Sequence, residues 1–149
     1  MIDPHQSAPR FEVRLTSDSH FGWLRTRLSI ERTMMSWLRT GVSLIGFGFA
    51  IVQFFERLND MPGVQAPQHP GAAKYLGLAL IFSGIAALLI SIWQYRWTIN
   101  YLWSADFAPI AGMRAGLKKE KMQSPVLAVA ILLVCIGLFA FSAVLLRLV

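Results

Sequence analysis

The sequence predicts an all-α integral membrane protein with three transmembrane helices, the first extended on the cytoplasmic side by an amphipathic, arginine-rich segment. Three observations lead there. Hydrophobic residues make up 55% and charged residues 15% of the 149 positions, and the charges avoid three long apolar blocks. That distribution belongs to bilayer spans and not to a soluble core. Linkers rich in Pro and Gly or in basic residues separate the blocks, and each block is close to the ~20 residues that cross hydrocarbon as a helix. Finally, Arg25, Arg32 and Arg39 recur at seven-residue spacing up to and into the first block. A helix turns that spacing into one lengthwise stripe, drifting by only ~20° per heptad.

Residues 1–20 carry Pro4, Pro9 and scattered polar side chains and read as a mobile tail, with residues 21–149 forming the membrane domain. No apolar signal-peptide core follows a compact basic region, so the first apolar block is expected to be retained as a span. Asp18 or Ser19 is placed to cap a helix starting near Phe21. A helix ending near Phe55 must enter the bilayer close to Met35 or Ser36, which gives a first span of about 35–55. Trp23 and Trp37 suit the headgroup level. Glu56 to Ala73, with Pro62, Pro67, Pro70, Gly63 and Gly71, reads as a loop. The second span covers about 75–95, with Ser83, Ala87 and Ser91 making a small face for close helix contact. Arg96 follows among Trp93, Tyr95, Trp97, Tyr101 and Trp103, an aromatic belt around a cation, and Pro109 is the expected helix stop. Pro125 opens the third span, about 125–146, whose duty is to face lipid and complete the packing.

Lysines and arginines are distributed six in the N-terminal segment up to Arg39, two in the first loop, five from Arg96 to Lys121, and one after the last span. Basic residues stay cytoplasmic, so the N-terminus is expected inside and the C-terminus outside. Cys135 is alone, so one chain has neither a disulfide nor a thiolate metal site; it is expected to be a small packing residue. His5 and His20 have no ligand-type neighbours at useful spacing. No metal, no cofactor and no nucleic-acid partner is expected, and the formal charge of +6 is read as topology and lipid contact.

Catalytic patterns are missing. The spans hold no paired carboxylates, no Ser/His/Asp or Cys/His set can be assembled, and Gly46-Phe-Gly48 lies mid-span without a preceding strand, suiting close helix approach instead. The expected protein is not an enzyme. What stands out is the polar seam of Arg25, Arg32 and Arg39, with Ser29, Ser36 and Ser43 between, joined at comparable depth by Arg96. Glu31 is the charge partner, within reach of Arg27 at i−4 or of a neighbouring helix. Several copies around an axis would turn such seams into cationic rings that favour anions. The alternative use of the same face is non-conducting: an adaptor or regulator that docks a protein or acidic lipid.

The run from Leu28 to Thr40, with Glu31, Arg32, Thr33, Trp37, Arg39 and Thr40 in place, resembles the signature of the YidH-like family of small inner-membrane proteins, a domain of unknown function. Ile30 stands where that motif has Asn, and Met34-Met35 where it has Phe-Leu. The resemblance implies packing roles for Thr33, Ser36, Trp37 and Thr40 and a three-span layout over most of residues 20–149. The same domain is similar to the membrane part of the fungal vacuolar transporter chaperone complex, which makes and passes polyphosphate. That likeness implies a polyanion path through Arg25, Arg32 and Arg96, with Glu31 beside the middle one and phosphate or polyphosphate as ligand. The catalytic and inositol-phosphate-sensing domains of that complex have no counterpart here, so only the path carries over.

Overall fold

In the computed structural model, residues 14, 16–59, 61, 71–104, 107–111 and 124–146 are described. The tail at 1–13, the Pro62–Pro70 part of the first loop, and the linker with Arg114, Lys118, Lys119 and Lys121 lie outside them. The described chain is helical throughout: α1 (Ser17–Asn59), α2 (Ala72–Leu102), a short α3 (Ala108–Ala111) and α4 (Pro125–Leu146). α1, α2 and α4 are each long and apolar enough to cross a membrane.

α1 starts four residues earlier than the sequence suggests. The Thr16 hydroxyl accepts from the Ser19 amide at 3.2 Å and the Thr16 carbonyl from the His20 amide at 3.1 Å, so Thr16 is the cap and Asp18 lies in the first turn, where its charge favours the helix dipole. α1 also runs past Phe55. Glu56 is helical, and its carboxylate meets Lys74 of α2 at 3.6 Å. At the other end, α2 stops at Leu102 and Pro109 sits inside α3, where a first-turn proline forfeits no helical hydrogen bond. α4 opens as expected, with Pro125 first and the Ser124 hydroxyl accepting from the Val126 amide at 3.3 Å. Ser124→Ala is expected to lower stability by about 1 kcal/mol, read as a small shift of the unfolding midpoint in detergent.

The core is an antiparallel pairing of α1 with α2. Along the seam the buried positions of α1 are Met34, Leu38, Gly41, Ile45, Gly48 and Val52, and those of α2 are Gly77, Ile81, Gly84, Leu88, Ser91 and Tyr95; Ile85 of α2 is buried beside it, against Gly137. Both sets step by four and three, the spacing of a coiled-coil seam. Glycines set the distance between the axes. A Cβ on Gly84 would lie 2.8 Å from the Gly41 carbonyl oxygen, and one on Gly48 would lie 2.6 Å from that of Gly77, so the backbones touch where side chains would hold them apart. These two pairs put residue n of α1 opposite residue 125−n of α2. The small face expected for α2 is therefore corrected in part: Ser91 is buried in the seam, but Ser83 is exposed and Ala87 only partly buried, and the closest contact is made by the glycine positions. Of the Gly46-Phe-Gly48 pair only Gly48 is in contact, since nothing lies within 4 Å of a Cβ on Gly46.

α4 lies along this pair, with Gly137 wedged against Ile45 and Ile85. Leu132, Leu138, Phe139 and Leu146 face outward, as does Cys135, which is therefore not a packing residue within the chain. A second, smaller core sits at the arginine-rich end, made of Trp23, Leu102, Ile110 and Ala111. There the Trp23 indole N–H donates to the Leu102 carbonyl at 3.0 Å and its ring meets Trp103 edge-on at 5.5 Å. The His20 Nδ1–H donates to the Ile110 carbonyl at 2.8 Å. Trp23 is thus a core residue tying α1 to the end of α2, and not part of a headgroup belt.

Candidate functional site: an arginine stripe and an interhelix cleft

α4 serves as a ruler for depth. Its 22 residues carry no charge and measure about 33 Å, the thickness of a hydrocarbon core. It begins beside Tyr95, whose hydroxyl interacts with the side chains of Ser124 and Glu31. Glu31 therefore marks the level at which α4 starts. Ser17–Ile30 of α1 stand outside that level, about 20 Å of helix. Arg32 is at the edge, Arg25 about 9 Å outside it, and Arg39 about 12 Å within.

Arg25, Arg32 and Arg39 are all exposed. At 3.6 residues per turn they lie roughly 140–180° round α1 from the seam that grips α2, so they share one outward face. Ser36 and Ser43 lie on the same face and are exposed too, whereas Ser29, also exposed, lies at the cleft between α1 and α2. The hydroxyls near the stripe satisfy themselves: Ser43 donates to the Arg39 carbonyl at 2.9 Å, Thr33 to Ser29 at 3.0 Å and Thr40 to Ser36 at 3.3 Å. The guanidinium groups do not. Among the described residues none of Arg25, Arg32, Arg39 and Arg96 has an ion-pair partner.

Arg96 does not join the stripe within one chain. By register it is level with Ser29, the comparable depth expected, but the stripe is on the side of α1 turned away from α2. Arg96 is exposed and lines a separate concavity made by Leu89, Ile92, Trp93, Trp97 and Asn100, all of α2. The aromatic belt divides accordingly. Trp93, Trp97 and Tyr101 face outward, whereas Tyr95 is buried and Trp103 packs on Trp23.

Glu31 is the charge partner of Arg27, Nε to Oε1 at 3.7 Å within α1, and also reaches across to Tyr95. The cluster Arg27, Glu31, Tyr95 and Ser124 ties α1, α2 and the start of α4 together at the membrane edge. The remaining motif residues do not pack in the core. Ser36 and Thr40 are exposed, while Thr33 and Trp37 line a cleft of about 240 Å³ between α1 and α2 with Ser91, Gln94, Tyr95 and Thr98. Sequence reading missed this cleft and the Tyr95–Ser124 contact. The signal was present in the glycines, seven apart in both helices (Gly41, Gly48; Gly77, Gly84), which set the register that brings residues 29–37 against 91–98.

Residues 25–101 match the family described as a domain of unknown function (DUF202). The chain belongs to the DUF202 family, the domain family of the YidH-like membrane proteins. The match begins at Arg25 and ends at Tyr101, so it covers the α1–α2 pairing with its stripe, cleft and glycine contacts. It does not extend over α4. No curated protein and no solved structure matches the chain.

Proposed function

We propose that this DUF202 protein is a homo-oligomer of the cell inner membrane, N-terminus cytoplasmic and C-terminus outside, whose Arg25–Arg32–Arg39 stripe lines a path that binds or conducts phosphate-type anions. The observation that carries the reading is the outward position of Arg39, about 12 Å inside the level where α4 begins. A guanidinium at mid-depth costs about 2.5–3.5 kcal/mol on insertion scales when it faces lipid. Water, a counter-anion or a neighbouring copy removes that cost. Stripes brought together around an axis provide all three, and the positive-inside count puts their mouth in the cytoplasm.

The second reading, a non-conducting adaptor for a protein or acidic lipid, is favoured by the part of α1 outside the membrane. Its Trp23 core with α2 and α3 holds Arg25 in a built position, which a path alone does not require.

Native mass spectrometry of the extracted full chain and planar-bilayer currents separate the two. A ring of several copies is expected, with anion-selective current that falls at least about tenfold in Arg39→Gln and Arg32→Gln, the factor of one lost favourable charge interaction of ~1.4 kcal/mol. A monomer or dimer, or silent bilayers for the unsubstituted protein, would sink the path and leave the adaptor.

A further inference from the structure

We infer that the concavity around Arg96 is a binding site for one anionic phospholipid, with the lipid phosphate on the Arg96 guanidinium and an acyl chain along Leu89 and Ile92. Arg96 is level with Ser29, about 3 Å outside the level at which α4 begins, where lipid phosphates lie. It has no ion-pair partner among the described residues. The concavity, about 400 Å³, runs along α2 from Leu89 to Asn100, a rise of about 16 Å that straddles that edge. Its chemistry changes with depth as a phospholipid's does: Leu89 and Ile92 lie on the hydrocarbon side, the indole of Trp93 at the boundary, and Arg96, Trp97 and Asn100 outside. Trp93 and Trp97 are 71% and 63% exposed, so most of each ring is open to a ligand. Trp97 stacks on Tyr101 at 6.2 Å and 11°, which holds one wall beside the guanidinium. A headgroup without a cation of its own is favoured because Arg25 and Arg32, which have no ion-pair partner among the described residues, stand at the same end, and each basic side chain near the surface adds attraction for anionic lipid.

The site stands apart from the proposed path, because Arg96 and the α1 stripe occupy different faces. The test is native mass spectrometry of the detergent-extracted full chain titrated with phosphatidylglycerol, phosphatidylcholine or inorganic phosphate. One phosphatidylglycerol per chain is expected, held more tightly than phosphatidylcholine and not displaced by millimolar phosphate. Arg96→Gln should weaken retention about fivefold, with Arg96→Lys intermediate. Trp93→Ala, which keeps the charge, should also weaken it, so the site can be judged even where Arg96→Gln fails to extract. Arg57→Gln, in the last turn of α1 at the opposite end of the helix, serves as the control and should leave retention unchanged. Equal binding of the two lipids, displacement by free phosphate, or full retention in both Arg96→Gln and Trp93→Ala would overturn the assignment.

Discussion

Gly77→Ala should separate α1 from α2 and cost about 2–3 kcal/mol, the upper range for overpacking a core that cannot move aside. A Cβ on Gly77 would be in collision with Val52 Cγ2 and 2.7 Å from the Gly48 carbonyl oxygen. The second contact decides the size of the effect, because a helix backbone has no rotamer to yield. Gly48→Ala meets the same obstacle from the other side, 2.6 Å from the Gly77 carbonyl. Gly41→Ala should be milder. Its closest conflict is with Leu88 side-chain carbons at 2.7 Å, and the Gly84 carbonyl is 3.2 Å away, so a rotamer change absorbs part of the strain. Gly46→Ala is the internal control. Nothing lies within 4 Å, and helix propensity alone predicts a gain of up to ~1 kcal/mol. Unfolding midpoints in mixed micelles with increasing SDS should rank the variants in that order. Equal midpoints for Gly77→Ala and Gly46→Ala would show that the glycine pairs do not set the helix separation.

Trp23→Ala should release the outer part of α1 while sparing the spans. Trp23 is 5% exposed, and truncating a buried tryptophan costs about 3–5 kcal/mol. The loss falls on the small core with Leu102, Ile110 and Ala111, and leaves the glycine seam untouched. Limited proteolysis should therefore cut within residues 17–30 of the variant and not of the parent, with the midpoint of span unfolding little changed. Trp23→Phe tests the hydrogen bond separately, since it keeps a ring against Trp103 but leaves the Leu102 carbonyl without its donor, worth roughly 1 kcal/mol. Protection of residues 17–30 in Trp23→Ala would show that other contacts hold the extension down.

The spans were legible because length and apolar composition suffice for them. Pro125 announced the start of α4, and seven-residue spacing placed three arginines on one line. Rotation was not legible. Ser83 and Ala87 satisfy a small-residue rule as well as Gly77, Gly84 and Ser91 do, and only the facing backbone of α1 decides which of them form the seam. Trp23 has the composition of a headgroup anchor, yet the end of α2 arrives beside it and turns it into core. Arg96 was grouped with the stripe by depth, which register supports; its face depends on which side of α1 receives α2. The cap at Thr16 escaped notice because Asp18 and Ser19 offer the same chemistry two and three residues later.

α1 is a single uninterrupted helix of 43 residues, and this gives the molecule a mechanical property. The Glu56–Lys74 pair and the Gly48–Gly77 contact hold the far half of the helix, so once the Trp23 contacts are released the outer half can lean only as one rod, about the Gly41–Gly84 contact. A tilt of about 10° about that fulcrum would carry His20 sideways by about 5 Å. Arg39, only two residues from the fulcrum, would scarcely shift. A pull on the outer segment would therefore move Arg25 far more than Arg39, so that in the proposed ring one end of the path would widen or narrow while the deep end keeps its place.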